Sequence, residues 1–418
     1  MPTAQAGDLV REISVPDELQ YVLLLFVLFV LPRALQRFRL PSAITCVALG
    51  ALAGIGFGLF QADPAINLLS TLGIVSLFLF AGLDVEFGEL QRNAAILIQH
   101  IVIRILLLAG VALAVQLTLR LGIQASILVS LALTTPSTGF ILDSVDSLGV
   151  SADERAWIKS KAIATELVAL AVLVIALQPP TPRHILGTTL TIAAMVAVLP
   201  VLFRVFAKVV LPYAPKSEFG FLLMVAVLCA LLTRQLGAYY LAGAFVVGLT
   251  AQRFREQLPA LASEQMLHAV HVFASVFVPF YFFHAGLQLR ASDFSMPAVT
   301  LGVAFLLILI PLRVYLVAVH RRLSLGESMR SGARIGLSIV PTLVFTLVIA
   351  EILRDRFAIP ATLFGGLVVY TLANTLLPGF ILRIAPTEPA MVDVPVPEMT
   401  IADPVLEASQ GLAVDADA

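Results

Sequence analysis

Long apolar runs, each closed by charged residues or by Pro and Gly, follow one another along almost the whole chain. Thirteen of them predict transmembrane helices, near 18–36, 41–60, 66–85, 93–119, 125–142, 156–177, 184–211, 218–235, 237–251, 264–289, 297–320, 328–352 and 360–383. The ninth, LGAYYLAGAFVVGLT, is short for a full crossing. The pattern predicts an all-α polytopic membrane protein. Residues 1–18 hold Asp8, Arg11, Glu12, Asp17 and Glu18 with no apolar core or cleavable signal, so the first span is expected to be a retained helix. Beyond Arg383, Pro, Asp, Glu and Ala dominate, and residues 385–418 are expected to form a disordered, soluble cytoplasmic tail.

Composition agrees with that reading. The chain is 59% hydrophobic and 13% charged, where a soluble domain carries about 25% charge. A net charge of −1 and the lack of a polybasic tract argue against a nucleic-acid partner. Cys46 and Cys229 lie in apolar spans, without metal spacing, and read as small packing residues. Positive charge sets the orientation. Loops after odd-numbered spans hold about 17 basic residues, Lys159, Lys161 and Arg321 among them, against about 7 on the other side, which predicts an external N-terminus and a cytoplasmic C-terminus in the cell (inner) membrane.

An internal repeat is also legible. FLFAGLDVEFGEL (Phe78 to Leu90) ends the third span and YFFHAGLQLRASDF (Tyr281 to Phe294) the tenth, so that Gly82 aligns with Gly286. Pro136 then follows Gly82 at nearly the spacing at which Pro341 follows Gly286. A shift of seven spans inverts the second copy, a construction used by secondary transporters. The predicted organisation is an extracytoplasmic segment (1–17), a first six-helix repeat (18–177), a linking helix (178–217), a second repeat (218–384) and the tail (385–418).

Both repeats carry an intramembrane proline, in LALTTPSTGF around Pro136 and GLSIVPTLVF around Pro341. Proline removes a backbone donor and frees carbonyls that need partners in a medium without water. Thr134, Thr135, Ser137, Thr138, Ser338 and Thr342 are suited to supply them. Matched breaks in two repeats point to a binding site, because half-helix ends bring partial charges to mid-membrane.

One acid lies at that depth. Glu166, beside Thr165, falls near the middle of WIKSKAIATELVALAVLVIAL; about ten residues at 1.5 Å each put it roughly 15 Å from the helix start. A carboxylate there needs water, a partner or an ion. Arg104 and Arg313 fall within about 6 Å of the same level, which suggests a Glu–Arg counter-charge arrangement or, alternatively, arginines tied to broken-helix carbonyls. His100 reads as packing, and His284 could face the crevice. Gly50, Gly54 and Gly58 have spacing suited to close helix packing at a subunit face. No HExxH, GxSxG or P-loop pattern appears, so neither an enzyme nor an ATP-driven pump is expected, and no cofactor or metal beyond a transported monovalent cation.

These residues resemble the monovalent cation/proton antiporters of the second subgroup, which share the sodium/proton-exchanger fold. The likeness covers nearly all of 18–384 and is carried by RLPSAITCVALGALAG, LGIVSLFLFAGLDVEFGEL, LALTTPSTGFILDSV, LGAYYLAGAFVVGL and VPFYFFHAGLQL. It implies thirteen spans, two crossing broken helices, a mobile core moving against a dimerisation scaffold, and a homodimer. Glu166 takes the place of the family's essential carboxylate, and Thr165 that of a neighbouring acid in electrogenic members. Arg313 stands where those members usually carry Lys. One carboxylate with an Arg looks more like the electroneutral relatives.

The combined expectation is exchange of Na⁺ or K⁺ for H⁺ at Glu166, with Thr165, Thr134, Thr135, Ser137 and Thr138 as ligands and Arg313 or Arg104 as counter-charge. The alternatives are a sodium-coupled organic anion symporter on the same architecture and a non-transporting membrane sensor.

Overall fold

A computed structural model describes residues 17–85, 88, 94–138, 141, 152–178, 182–235, 239–253 and 264–382. The expected N-terminal segment and tail lie outside these residues. Among them every regular element is helical: α1 (Asp17–Gln36), α2 (Ser42–Ala51, prolonged by a π turn, Leu52–Gly56), α3 (Pro64–Leu83), α4 (Ala94–Leu119), α5 (Ile123–Thr134), α6 (Ala152–Leu177), α7 (Pro182–Val205, with a π turn at Phe206–Val210), α8 (Glu218–Gln235), α9 (Tyr239–Arg253), α10 (Glu264–Leu287), α11 (Met296–Leu325), α12 (Met329–Ser338), α13 (Leu343–Phe357) and α14 (Ala361–Ile381).

Nine of these are long and apolar enough to cross a membrane, and α12 with α13 makes a tenth span bent by 53°. The expected count of thirteen is not confirmed, for physical reasons. The span that begins as α5 stops after 12 residues at its proline, α9 has only 15 residues, and α2 closes in a π turn. Of the span expected at 125–142, residues 139, 140 and 142 lie outside the described residues.

Helix ends follow their local chemistry. Asp63 caps α3, accepting from the Ala65 and Ile66 amides at 2.8 and 3.1 Å, with Pro64 as the first helical residue. Tyr21 donates to the other Asp63 oxygen at 2.5 Å and fastens α1 to that corner. Gly326, in the left-handed region at φ 68°, ends α11.

Burial separates two kinds of helix. In α3 and α6, 61% and 67% of the apolar window is inside the protein, against 17% in α1 and 22% in α7. The outer helices turn Leu23, Phe26, Leu106, Leu117, Leu190 and Val198 outward, as a lipid-facing surface requires. The inner helices meet through glycines. A Cβ on Gly82 would strike the Phe245 carbonyl of α9, and one on Gly73 the Phe277 carbonyl of α10. Gly50 meets the Phe283 carbonyl of α10 and Gly54 meets Leu287. The expectation of a subunit face for this glycine series is therefore corrected: Gly50 and Gly54 close an internal contact, while Gly58 sits in a turn at φ +65°.

Candidate functional site

The site begins with two prolines. A residue before proline is pushed out of the helical region, and Thr135 is extended (φ −80°, ψ 119°), so α5 ends at Thr134. Before Pro341, α12 stops at Ser338, and α13 restarts after Thr342. The two breaks bond to each other. The Ser137 amide donates to the Pro341 carbonyl at 2.8 Å. The Val344 amide donates to the Ser137 hydroxyl at 3.0 Å, and Thr346 Oγ1 donates to the Ala132 carbonyl at 2.7 Å. Two interrupted helices thus cross and complete one another.

The carbonyls freed at the breaks are met mainly by long side chains. Arg313 donates to the Val340 and Ile339 carbonyls at 2.9 and 3.1 Å and to Tyr370 Oη at 3.2 Å. Tyr370 in turn donates to the Leu133 carbonyl at 2.6 Å, and Arg104 donates to the Thr134 carbonyl. Both arginines therefore sit at the C-terminal, negative ends of half-helices α5 and α12. Among the described residues, no ion pair joins either of them to Glu166.

The expected hydroxyls divide by role. Thr134 and Ser338 bond back into their own helices, to the Ser130 and Ile335 carbonyls. Thr342 is held by α14: its amide donates to Asn374 Oδ1 at 3.2 Å, and Asn374 Nδ2 donates to its hydroxyl at 2.9 Å. Thr165 donates to the Lys161 carbonyl at 2.8 Å and meets His100 Nε2 at 2.9 Å. Thr135 and Thr138, fully or almost fully buried, are held by no conventional hydrogen bond. Thr138 is the hydroxyl that faces the Glu166 carboxyl.

Glu166 itself is 5% exposed. Asp84, paired with Lys159 at 3.3 Å, lies within its electrostatic reach. The arrangement is an acid, buried beside the crossing, with an uncommitted hydroxyl in front of it and no cation paired to it.

Two cavities lie among these helices, the smaller against the crossing. One, of about 40 Å³, is lined by His100, Arg104, Lys161, Thr165, Arg313 and His320, with Pro136 at its edge. The other, of about 430 Å³, is lined by His284, Glu351, Arg354 and Asp355. His284 thus opens onto a polar cavity. Tyr370, Asn374, Thr346 and Lys161 are the residues that sequence reasoning missed. Asn374 and Tyr370 could have been found as polar side chains in an otherwise apolar final span, whereas Lys161 was counted with the loop charges.

A sequence model of the family described as sodium/hydrogen exchanger, transmembrane, matches residues 22–385. The chain belongs to that family. The Na⁺/H⁺ antiporter NhaS5 of Synechocystis sp. (strain ATCC 27184 / PCC 6803 / Kazusa) is 25% identical over 296 residues, 68% of this chain and 41% of that protein; the chain thus matches less than half of that relative's length. The structure of the sodium proton antiporter MjNhaP1 from Methanocaldococcus jannaschii superposes with a TM-score of 0.61 at 14% identity, covering 88% of this chain and 95% of the other. The exchanger-family chain therefore shares that fold, and family and apolar helices together make it an integral membrane protein.

Proposed function

We propose that the protein is a secondary active transporter exchanging one monovalent cation, Na⁺ or K⁺, for H⁺ by alternating access. The observation that carries this is Glu166: a carboxylate buried at the crossing of two broken helices, with no cation paired to it and with the unheld hydroxyl of Thr138 before it. A carboxylate that loads either one proton or one cation moves equal charge in each direction, so the exchange is electroneutral. The ion gradients supply the drive, and desolvation couples the two half-cycles, because a bare carboxylate in this setting is the costly species.

In this reading Thr138 and Thr135 supply oxygen ligands, with Thr134, Ser137 and Thr165 close by on the same elements. Pro136 and Pro341 set the breaks, and Ser338 and Thr342 hold the second one. Arg104 and Arg313 balance the two negative half-helix ends, so that the charge of Glu166 remains available to the transported ion. The glycine contacts support the inverted repeat: α3 closes on α9 through Gly82 and Gly248, and α10 on α2 through Gly286 and Gly50. The proposed boundaries are 18–177 and 218–384, linked by 178–217. Orientation follows the basic residues, with the N-terminus outside and the C-terminus in the cytoplasm of the inner membrane. The exposed apolar helices α1 and α7 suit a lipid-embedded homodimer scaffold. The organic anion symporter and the membrane sensor gain no support from the comparisons.

Proteoliposomes carrying an imposed pH gradient provide the test. Addition of Na⁺ or K⁺ to wild-type vesicles is expected to dissipate the gradient. Glu166→Gln, which keeps the side-chain shape, is expected to remove that response while eluting as a folded protein; undiminished flux in the variant contradicts the proposal.

A further inference from the structure

The smaller cavity does something the cation site does not explain. It lies between α4, α6, α11 and α12, and three basic side chains reach it: Arg104, Lys161 and Arg313, each at least nine-tenths buried. No carboxylate lines it among the described residues. The two arginines spend their donors on half-helix carbonyls, which carry roughly half a negative charge at each helix end. Lys161 has no such outlet. Among the described residues its ammonium makes no hydrogen bond or ion pair; it lies over the Trp157 ring, 4.2 Å from the centroid. Arg321 lies against the same ring at 4.2 Å, but its charge is met by Glu327 and by Glu154 at 3.9 Å, so Lys161 is the basic group left without a carboxylate. An ammonium buried in this way is costly unless a counter-ion joins it inside the cavity.

The histidines describe how the remaining space is used. Thr165 commits its proton to the Lys161 carbonyl, so the bond between its hydroxyl and His100 Nε2 is donated by the imidazole. His100 Nδ1 is then a bare acceptor, and it has no partner. His320 is arranged alike, with Nε2 toward Gln99 Oε1 at 3.4 Å and Nδ1 unpartnered. The ring centroids of the two histidines are 6.2 Å apart. A volume of about 40 Å³ holds about three water-sized species at 10–15 Å³ each. One ion with two waters fits that volume.

We propose that this cavity is a binding site for a small monovalent anion of chloride size, held by the Lys161 ammonium, with the His100 and His320 rings lining the site. The anion balances the excess positive charge beside the crossing. The site is separate from Glu166, which does not line the cavity.

The test is equilibrium binding of radiolabelled chloride to the purified full chain in detergent, with gluconate as the balancing anion. Saturable uptake near one chloride per chain is expected, displaced by bromide and not by gluconate, which is too large for the cavity. Lys161→Met is expected to weaken binding at least tenfold, and Glu166→Gln to leave it unchanged, so that the anion site and the cation site can fail independently. Absence of saturable chloride binding by the wild-type protein overturns the proposal whatever the variants do, and so does binding of wild-type affinity by a folded Lys161→Met protein.

Discussion

Arg313→Met keeps most of the side-chain stem and removes the guanidinium, which isolates one question: whether this arginine holds the crossing together. Its bonds to the Val340 and Ile339 carbonyls, at 2.9 and 3.1 Å, would lose their only charged donor. A hydrogen bond from a charged group contributes about 1.5–3 kcal/mol, and a buried carbonyl left bare costs a comparable amount. The Leu133 carbonyl keeps Tyr370 as its donor and adds little to the loss. Two orphaned carbonyls then sum to about 3–6 kcal/mol, partly relieved if water enters the small cavity. At about 2–4 °C per kcal/mol in a mid-sized chain, and less in a longer one, the unfolding midpoint should fall by about 5 °C or more. Thermal unfolding of detergent-solubilised protein, followed by size-exclusion chromatography, reads this directly. Arg313→Lys, which keeps the charge but reaches fewer carbonyls, should fall between wild type and Met. A Met variant melting within 1 °C of wild type would refute the reasoning, since the crossing would then be held by the Ser137, Thr346 and Asn374 bonds alone.

Three further outcomes follow from the same geometry. Thr138→Val removes the hydroxyl facing Glu166 without breaking any conventional hydrogen bond; it should raise the cation KM in vesicle flux by about five- to thirty-fold, equivalent to about 1–2 kcal/mol, with an unchanged melting midpoint. Gly82→Ala places a methyl against the Phe245 carbonyl and 2.8 Å from the Leu249 amide nitrogen, where only backbone could yield, so the yield of folded protein should drop sharply. Gly110→Ala, with nothing within 4 Å, should melt as wild type or slightly higher.

What could be read in advance divides along a physical line. Apolar runs, intramembrane prolines and a lone acid are expensive or conspicuous features, so the helical membrane architecture, the two breaks and Glu166 were all visible as residues. Partners supplied by backbone were not. The freed carbonyls carry no mark in the sequence, and short hydroxyls looked adequate to satisfy them. In the structure Thr134 and Ser338 satisfy their own helices, and the longer Arg313, Arg104 and Tyr370 reach across. Lys161 was hidden by an assumption about depth: four residues into the span beginning at Trp157, it looked like a loop charge, yet it is buried at 4% exposure. Gly50 and Gly54 announced close packing but not its partner, because the contact is made by the main chain of α10. Helix count suffers for a related reason: a span broken by proline, or closed by a π turn, no longer has the continuous length that hydropathy assumes.

The claim that one carboxylate serves both ions is tested most directly by the protons released when cation is added to purified protein in weakly buffered detergent solution. At a pH where Glu166 is protonated, wild type should release about one proton for each Na⁺ or K⁺ bound, and Glu166→Gln should release none. Cation binding without proton release, or release that persists in Glu166→Gln, would contradict a shared site at Glu166.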